Sequence, residues 1–194
     1  DLIQVCDMEA VPEDLRRFKR WDPAEHGPIR GRIAAPKFNE NIEQVIFPEL
    51  KKWVPRGQLV GGAWDEAFSK QKRVLQFKNG STIQFLTYDQ DVDAHAGAAL
   101  HFSHFDEEPE GEKGKLLWEE NMTRVSDCDG DFRITMTPLF GLSWAYKEIW
   151  KKRNTDPDIT ALQGDTALNP HVNQARLAKE AARIANSARG VLDA

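Results

Sequence analysis

The chain has 194 residues, 40% of them apolar and 29% charged, with a formal net charge of −5. That length holds one domain with a real core, that balance is the one of a soluble globular protein, and no apolar run approaches the roughly 20 residues that cross a bilayer. Net acidity argues against a surface that grips DNA everywhere, because phosphate neutralisation supplies most of that affinity.

Basic residues do cluster, at Arg16, Arg17, Lys19 and Arg20, at Lys70, Lys72, Arg73 and Lys78, and at Lys147, Lys151, Lys152 and Arg153. Each group reads first as a solvated face. The two cysteines, Cys6 and Cys128, lack metal-type spacing and fit a reducing compartment. The chain opens on Asp1 rather than Met, with no charged-then-apolar leader. We therefore expect no signal peptide, and a chain that begins inside a longer protein.

In chain order, a short helix is expected near Asp14 to Arg20, followed by an irregular stretch. Arg32 to Ala35 reads as a strand stopped by Pro36. Asn39 caps a predicted helix whose apolar face is Ile42, Val45, Ile46, Leu50 and Trp53, with a kink at Pro48. Val74 to Lys78 and Thr82 to Thr87 form a predicted hairpin around Asn79-Gly80. Leu75, Phe77, Ile83 and Phe85 share a face only across an odd loop. The expectation is three residues with Gly80 in the left-handed region.

Leu100 to Phe105 is a predicted strand, Leu116 to Val125 a helix, and Phe132 to Thr137 a strand. Ser143 to Arg153 is a predicted helix and Ile159 to Gln163 a last strand. Asn169-Pro170 opens a helix that Gly190 ends. This alternation predicts an α/β fold with a mostly parallel sheet flanked by helices.

The chemistry concentrates at Asp106-Glu107-Glu108-Pro109, where a largely apolar strand delivers carboxylates at its C-terminal end. Ligands of open α/β sheets bind outside those strand ends. Adjacent side chains on a strand point to opposite faces, so Asp106 and Glu107 can serve two roles if the chain turns there. One would hold Mg²⁺ and the other would orient an attacking water. A solvated acidic turn is the plain alternative. Roughly one βα unit later, Thr135-Met136-Thr137-Pro138 puts two hydroxyls at a second strand tip. His95, His101 and His104 lie near the acids, but alternation sends His101 and His104 to different faces, which argues against one zinc ion. No Gly-x-Ser-x-Gly elbow supports a serine triad.

The ordered set Gln76-x-x-Asn79-Gly80-Ser81-x-Ile83, Tyr88-Asp89-Gln90-Asp91, Gly97, Asp106-Glu107-Glu108-Pro109, Arg124, Asp127, Gly130 and Thr135 to Trp144 resembles the ATPase motor domain of viral terminase large subunits. Asp165-x-x-x-Asn169-Pro170-His171 resembles the segment that follows in that family. The resemblance runs from about Arg32 to Gly190. It implies a RecA-like, P-loop-type fold, incomplete at its N-terminus, with ATP and Mg²⁺ as cofactors. Asp106 matches the Walker B aspartate that holds the metal, Glu107 the catalytic glutamate, and Thr135-Met136-Thr137 the motif that couples hydrolysis to DNA movement.

The resemblance further implies double-stranded DNA, a portal protein and a small terminase subunit as partners, and a ring-forming homo-oligomer. It places the protein in the host cytoplasm, transiently at the procapsid portal. It makes 1–189 a partial ATPase domain and 190–194 the start of a linker to a nuclease.

Two departures stand out. No Gly-x-x-x-x-Gly-Lys-[Ser/Thr] loop occurs, and Gly111 to Leu116 only mimics one. No Arg or Lys lies between Lys78 and Asp106 to act in trans. The strand before the missing loop would lie between Phe132–Thr137 and Ile159–Gln163. We expect a gap there or direct pairing of those two strands, with an exposed apolar edge that makes the isolated chain poorly soluble or oligomeric. A helicase-like ATPase and a non-catalytic binding module are the alternatives.

Overall fold

The structure is a computed structural model that describes the backbone of residues 1–165 and 168–192, with side chains through Arg183. The chain divides into two compact units, Asp1–Glu148 and Ile149–Ala194.

The first unit is built on six strands: β1 (Arg30–Ala35), β2 (Phe68–Ser69), β3 (Val74–Gln76), β4 (Thr82–Thr87), β5 (Phe102–Asp106) and β6 (Asp131–Thr135). They form one sheet in the order β2-β3-β4-β1-β5-β6. β4, β1, β5 and β6 run parallel, while β2 and β3 are antiparallel additions on the far side of β4. The expected mostly parallel α/β sheet is therefore present.

Helices cover both faces. They are α1 (Leu2–Val5), α2 (Glu13–Arg16), α3 (Pro23–His26), α4 (Phe47–Trp53), α5 (Trp64–Ala67), α6 (Gly111–Ser126) and α7 (Trp144–Glu148). Alternation sorts the core. Ile33, Ala35, Ile83, Phe85 and Phe102 pack with the N-terminal segment and with Phe47 and Phe68. Ala34, Leu86, Tyr88 and Phe105 pack with Leu117 of α6 on the opposite face. The second unit holds a 3₁₀ turn, Trp150–Lys152, and α8, Gln174–Leu192. None of the described helices is long and apolar enough to cross a membrane.

The hairpin follows its sequence. Leu75 pairs with Ile83 and Gln76 with Thr82. Phe77 N–H donates to Ser81 O at 2.9 Å, which leaves Lys78, Asn79 and Gly80 as a three-residue loop. Gly80 has φ 83°, the left-handed region that a side chain resists.

Four expectations need correction. Phe38–Ile46 is a π-helix that passes into α4 at Phe47. Its wider turn breaks the 3.6-residue stripe, so Ile42 is buried while Val45 and Trp53 are exposed. Lys37, not Asn39, precedes that helix, and Pro48 sits in the first turn of α4, where its missing N–H costs nothing.

The predicted helix over Ser143–Arg153 is divided into α7 and the 3₁₀ turn. Ile159–Gln163 forms no strand. A β-branched run becomes a strand only beside a partner that takes its backbone groups, and β6 pairs with β5 alone among the described residues. The direct pairing with β6 therefore does not occur. At the C-terminus, α8 begins after Asn173, whose side chain accepts from Arg176 N–H at 3.0 Å. It runs past Gly190 to Leu192. Of the expected linker, residues 193 and 194 lie outside the described residues.

Candidate functional site

β5 and β6 run parallel and in register, with Asp106 opposite Thr135. This brings the acids and the hydroxyl motif to the same C-terminal edge of the sheet, as the strand alternation predicts. Glu107 N–H donates to Thr135 O at 2.8 Å, and Thr137 N–H donates to a Glu107 carboxylate oxygen at 3.1 Å. Thr135 Oγ1 lies 3.5 Å from Asp106 Oδ1 and 2.9 Å from His104 Nε2. Met136 is half-buried just beyond the end of β6.

β5 ends because Glu107 adopts φ 70°. A non-glycine residue in that region costs about 1–2 kcal/mol, and such strain collects at functional sites. The turn separates the carboxylates. Asp106 stays on the strand beside Thr135, Glu107 reaches across to Thr137, and Glu108 folds inward.

Glu108 is 5% exposed. One of its oxygens accepts from Ala145 N–H at 3.1 Å in the first turn of α7, where a carboxylate is favoured by the orphan donors of a helix start. Its other oxygen is buried without a partner among the described residues. Trp144 Nε1 donates to Pro109 O at 2.8 Å, and Trp144 stacks on Trp118. The last carboxylate of the run therefore anchors α7. Its place one residue further along the acidic run gave no sign of that role.

Tyr88, the first residue of the Tyr88-Asp89-Gln90-Asp91 pattern, lies directly after β4. Its hydroxyl lies 2.9 Å from Ala34 O, 3.1 Å from Asp106 O and 2.9 Å from Glu107 O. Burial first, and then the Asp106 and Glu107 charges, raise its ionisation far above the usual tyrosine range. The phenol therefore stays a donor. Beside it lies a cleft of about 340 Å³ lined by Pro36, Asp89, Glu108, Lys113 and Phe140 among others.

The three histidines do separate work. His95 is buried against Asn121, His101 meets the Trp21 ring edge-on, and His104 reaches Thr135. Burial is the main cause that lowers His104 to about 4, so it is neutral at pH 7. The loop mimic at Gly111–Leu116 is the first turns of α6, and Lys113 Nζ donates to Asp89 O at 3.0 Å.

Set beside solved structures, this architecture has counterparts. The large terminase of a thermophilic bacteriophage matches with a TM-score of 0.50 and 17% identity, over 66% of this chain and 30% of that one. Over the matched part, the chain shares the fold of a phage large terminase. The ATPase domain of the large terminase from a Thermus phage gives a TM-score of 0.45 at 19% identity, over 61% of this chain and 51% of that one. An arginine-to-alanine mutant of that domain gives 0.47 at 20%, over 64% and 53%. The chain thus spans about half the length of those ATPase-domain chains. No family model and no curated protein matches it.

The donor set at the edge fits Mg²⁺. Asp106 offers hard carboxylate oxygens that no cation of the described residues neutralises by a salt bridge, and Thr135 adds a hydroxyl beside it. Mg²⁺ is commonly held by one or two carboxylates, with waters and substrate phosphates completing its shell.

Proposed function

We propose that this chain supplies the carboxylate half of an ATP-hydrolysing motor of the large-terminase type, which moves double-stranded DNA into a viral procapsid. The observation that supports it best is the in-register meeting of Asp106-Glu107 with Thr135 and Thr137 at one sheet edge. Asp106 would hold Mg²⁺, which when bound neutralises phosphate charge. Glu107, turned out of the strand, would orient and activate the attacking water. The Thr137 N–H on the Glu107 carboxylate ties that group to the coupling segment Thr135-Met136-Thr137, so a shift of the segment would move the carboxylate.

The 194 residues contain no Gly-Lys-[Ser/Thr] phosphate cradle, so on this reading the cradle comes from outside them. By family resemblance the partners are a portal protein, a small subunit and further copies in a ring.

The test uses the complete gene product. Calorimetry with Mg-ATP should show that Asp106→Asn weakens nucleotide binding and raises the Mg²⁺ needed for turnover. Binding and Mg²⁺ dependence equal to wild type in Asp106→Asn would remove the metal role. Robust hydrolysis by the 194-residue chain alone would refute an external cradle.

A further inference from the structure

We infer that Tyr88 is a positioning residue for the carboxylate turn, clamping the Glu107 peptide from the side opposite β6. This rests on the functional reading above and extends it to a residue outside the acidic and threonine motifs.

The Glu107 peptide groups are held from two directions. On the β6 side, Thr135 O accepts the Glu107 N–H at 2.8 Å. On the other side, the Tyr88 hydroxyl meets Glu107 O at 2.9 Å, and the same hydroxyl reaches Ala34 O at the end of β1 and Asp106 O at the end of β5. One phenol at the end of β4 thus stands within hydrogen-bond reach of carbonyls at the tips of β1 and β5, and its single hydrogen is shared among them where the chain leaves β5.

The ring leaves little freedom. Tyr88 is 9% exposed, its ring lies 5.2 Å from that of Phe105, and its own N–H donates to Ala35 O at 3.1 Å. A backbone at φ 70° persists in glutamate only where surrounding bonds over-determine it. The clamp supplies those bonds, and so fixes the direction in which the Glu107 carboxylate leaves the sheet. Thr87, one residue earlier, is locked in turn, since its N–H donates to Gln90 Oε1 at 2.9 Å. The phenol therefore stands on a rigid turn.

Tyr88→Phe keeps the ring and its packing and removes only the hydroxyl. In the 194-residue chain, hydrogen exchange resolved at the Glu107 amide should quicken about tenfold, as expected for one lost hydrogen bond, while the β1 and β4 amides keep their protection. In the complete gene product, kcat for ATP should fall about tenfold or more with KM within about twofold, because misplacement of a reacting group lowers turnover rather than binding. A merely structural role would loosen the whole sheet and leave kcat per folded molecule unchanged. Unchanged Glu107 exchange, or altered exchange with unchanged kcat, would overturn the inference. If the wild-type gene product hydrolyses no nucleotide, the motor reading fails instead, and the exchange measurement still decides the clamp.

Discussion

Two sets of polar groups flank β5, and they are treated in opposite ways. On the α6 face, Arg32 is 2% exposed and every nitrogen of its guanidinium donates a hydrogen bond. It donates to Gln84 Oε1 at 3.0 and 3.1 Å, to His95 O at 2.7 Å and to Asn121 Oδ1 at 2.9 Å. Asn121 also accepts from Ser103 and donates to Leu117 O. At the C-terminal tip, by contrast, Glu107 sits in a strained backbone, Asp106 has one long contact at 3.5 Å, and Glu108 keeps a buried oxygen unpartnered. A buried polar group is costly unless it is satisfied. On the function proposed above, the well-bonded network serves the scaffold, and the open, strained turn at Asp106 and Glu107 leaves interactions to a ligand.

The comparison breaks most sharply at Arg32. Replacing it with Met strips four hydrogen bonds from buried and half-buried partners and should cost about 4 kcal/mol in urea unfolding. A loss under about 1 kcal/mol, the worth of a single ordinary hydrogen bond, would show that the network is not structural.

His95 gives the next largest effect. Its ring accepts from Asn121 and faces Thr87 O. A proton on the accepting nitrogen would oppose the Asn121 donor and the Arg32 charge. Burial first, and then Arg32, lower its pKa from 6.5 to about 4. The unfolded chain therefore takes up a proton as pH falls through 6.5 while the folded chain does not. Stability should drop between pH 6.5 and about 4, by on the order of 3 kcal/mol at the acid end. His95→Gln should make that slope shallower in thermal melts taken across the range, leaving the part due to His104, which burial lowers in the same way. An equal slope in both proteins would contradict the assignment.

The smallest effect has the opposite sign. Glu107→Gly relieves the positive φ and should raise stability by about 1 kcal/mol while abolishing function. Clear destabilisation would mean that the turn is not a strained functional element.

Much of this was legible in the sequence, for physical reasons that differ by element. β1, β5 and β6 announced themselves as short apolar runs ended by Pro36, by acids and by Pro138. The hairpin loop followed from the parity of four apolar positions together with Asn79-Gly80. The meeting of Asp106 and Glu107 with Thr135 and Thr137 at one sheet edge was legible from the strand alternation, while the roles proposed for them come from the resemblance. Ile159–Gln163 misled because strand propensity is local while pairing is not. The π-helix was hidden because a short apolar stripe does not distinguish a π turn from an α turn. Tyr88 and Glu108 gave no signal of their own. A phenol set among three carbonyls and a carboxylate that caps α7 are facts of tertiary placement, and a positive φ at a glutamate is invisible where glycine would have revealed it.

The central claim is that Glu107, and not its neighbour, is the group that acts on water. It is tested most directly by ATP turnover of the complete gene product carrying Glu107→Gln or Glu108→Gln, each normalised to folded protein. The account predicts that Glu107→Gln binds Mg-ATP but turns over at least about a hundredfold more slowly, the scale of a lost general base. Glu108→Gln should keep most of the wild-type rate. Near-normal turnover in Glu107→Gln together with loss in Glu108→Gln would contradict it.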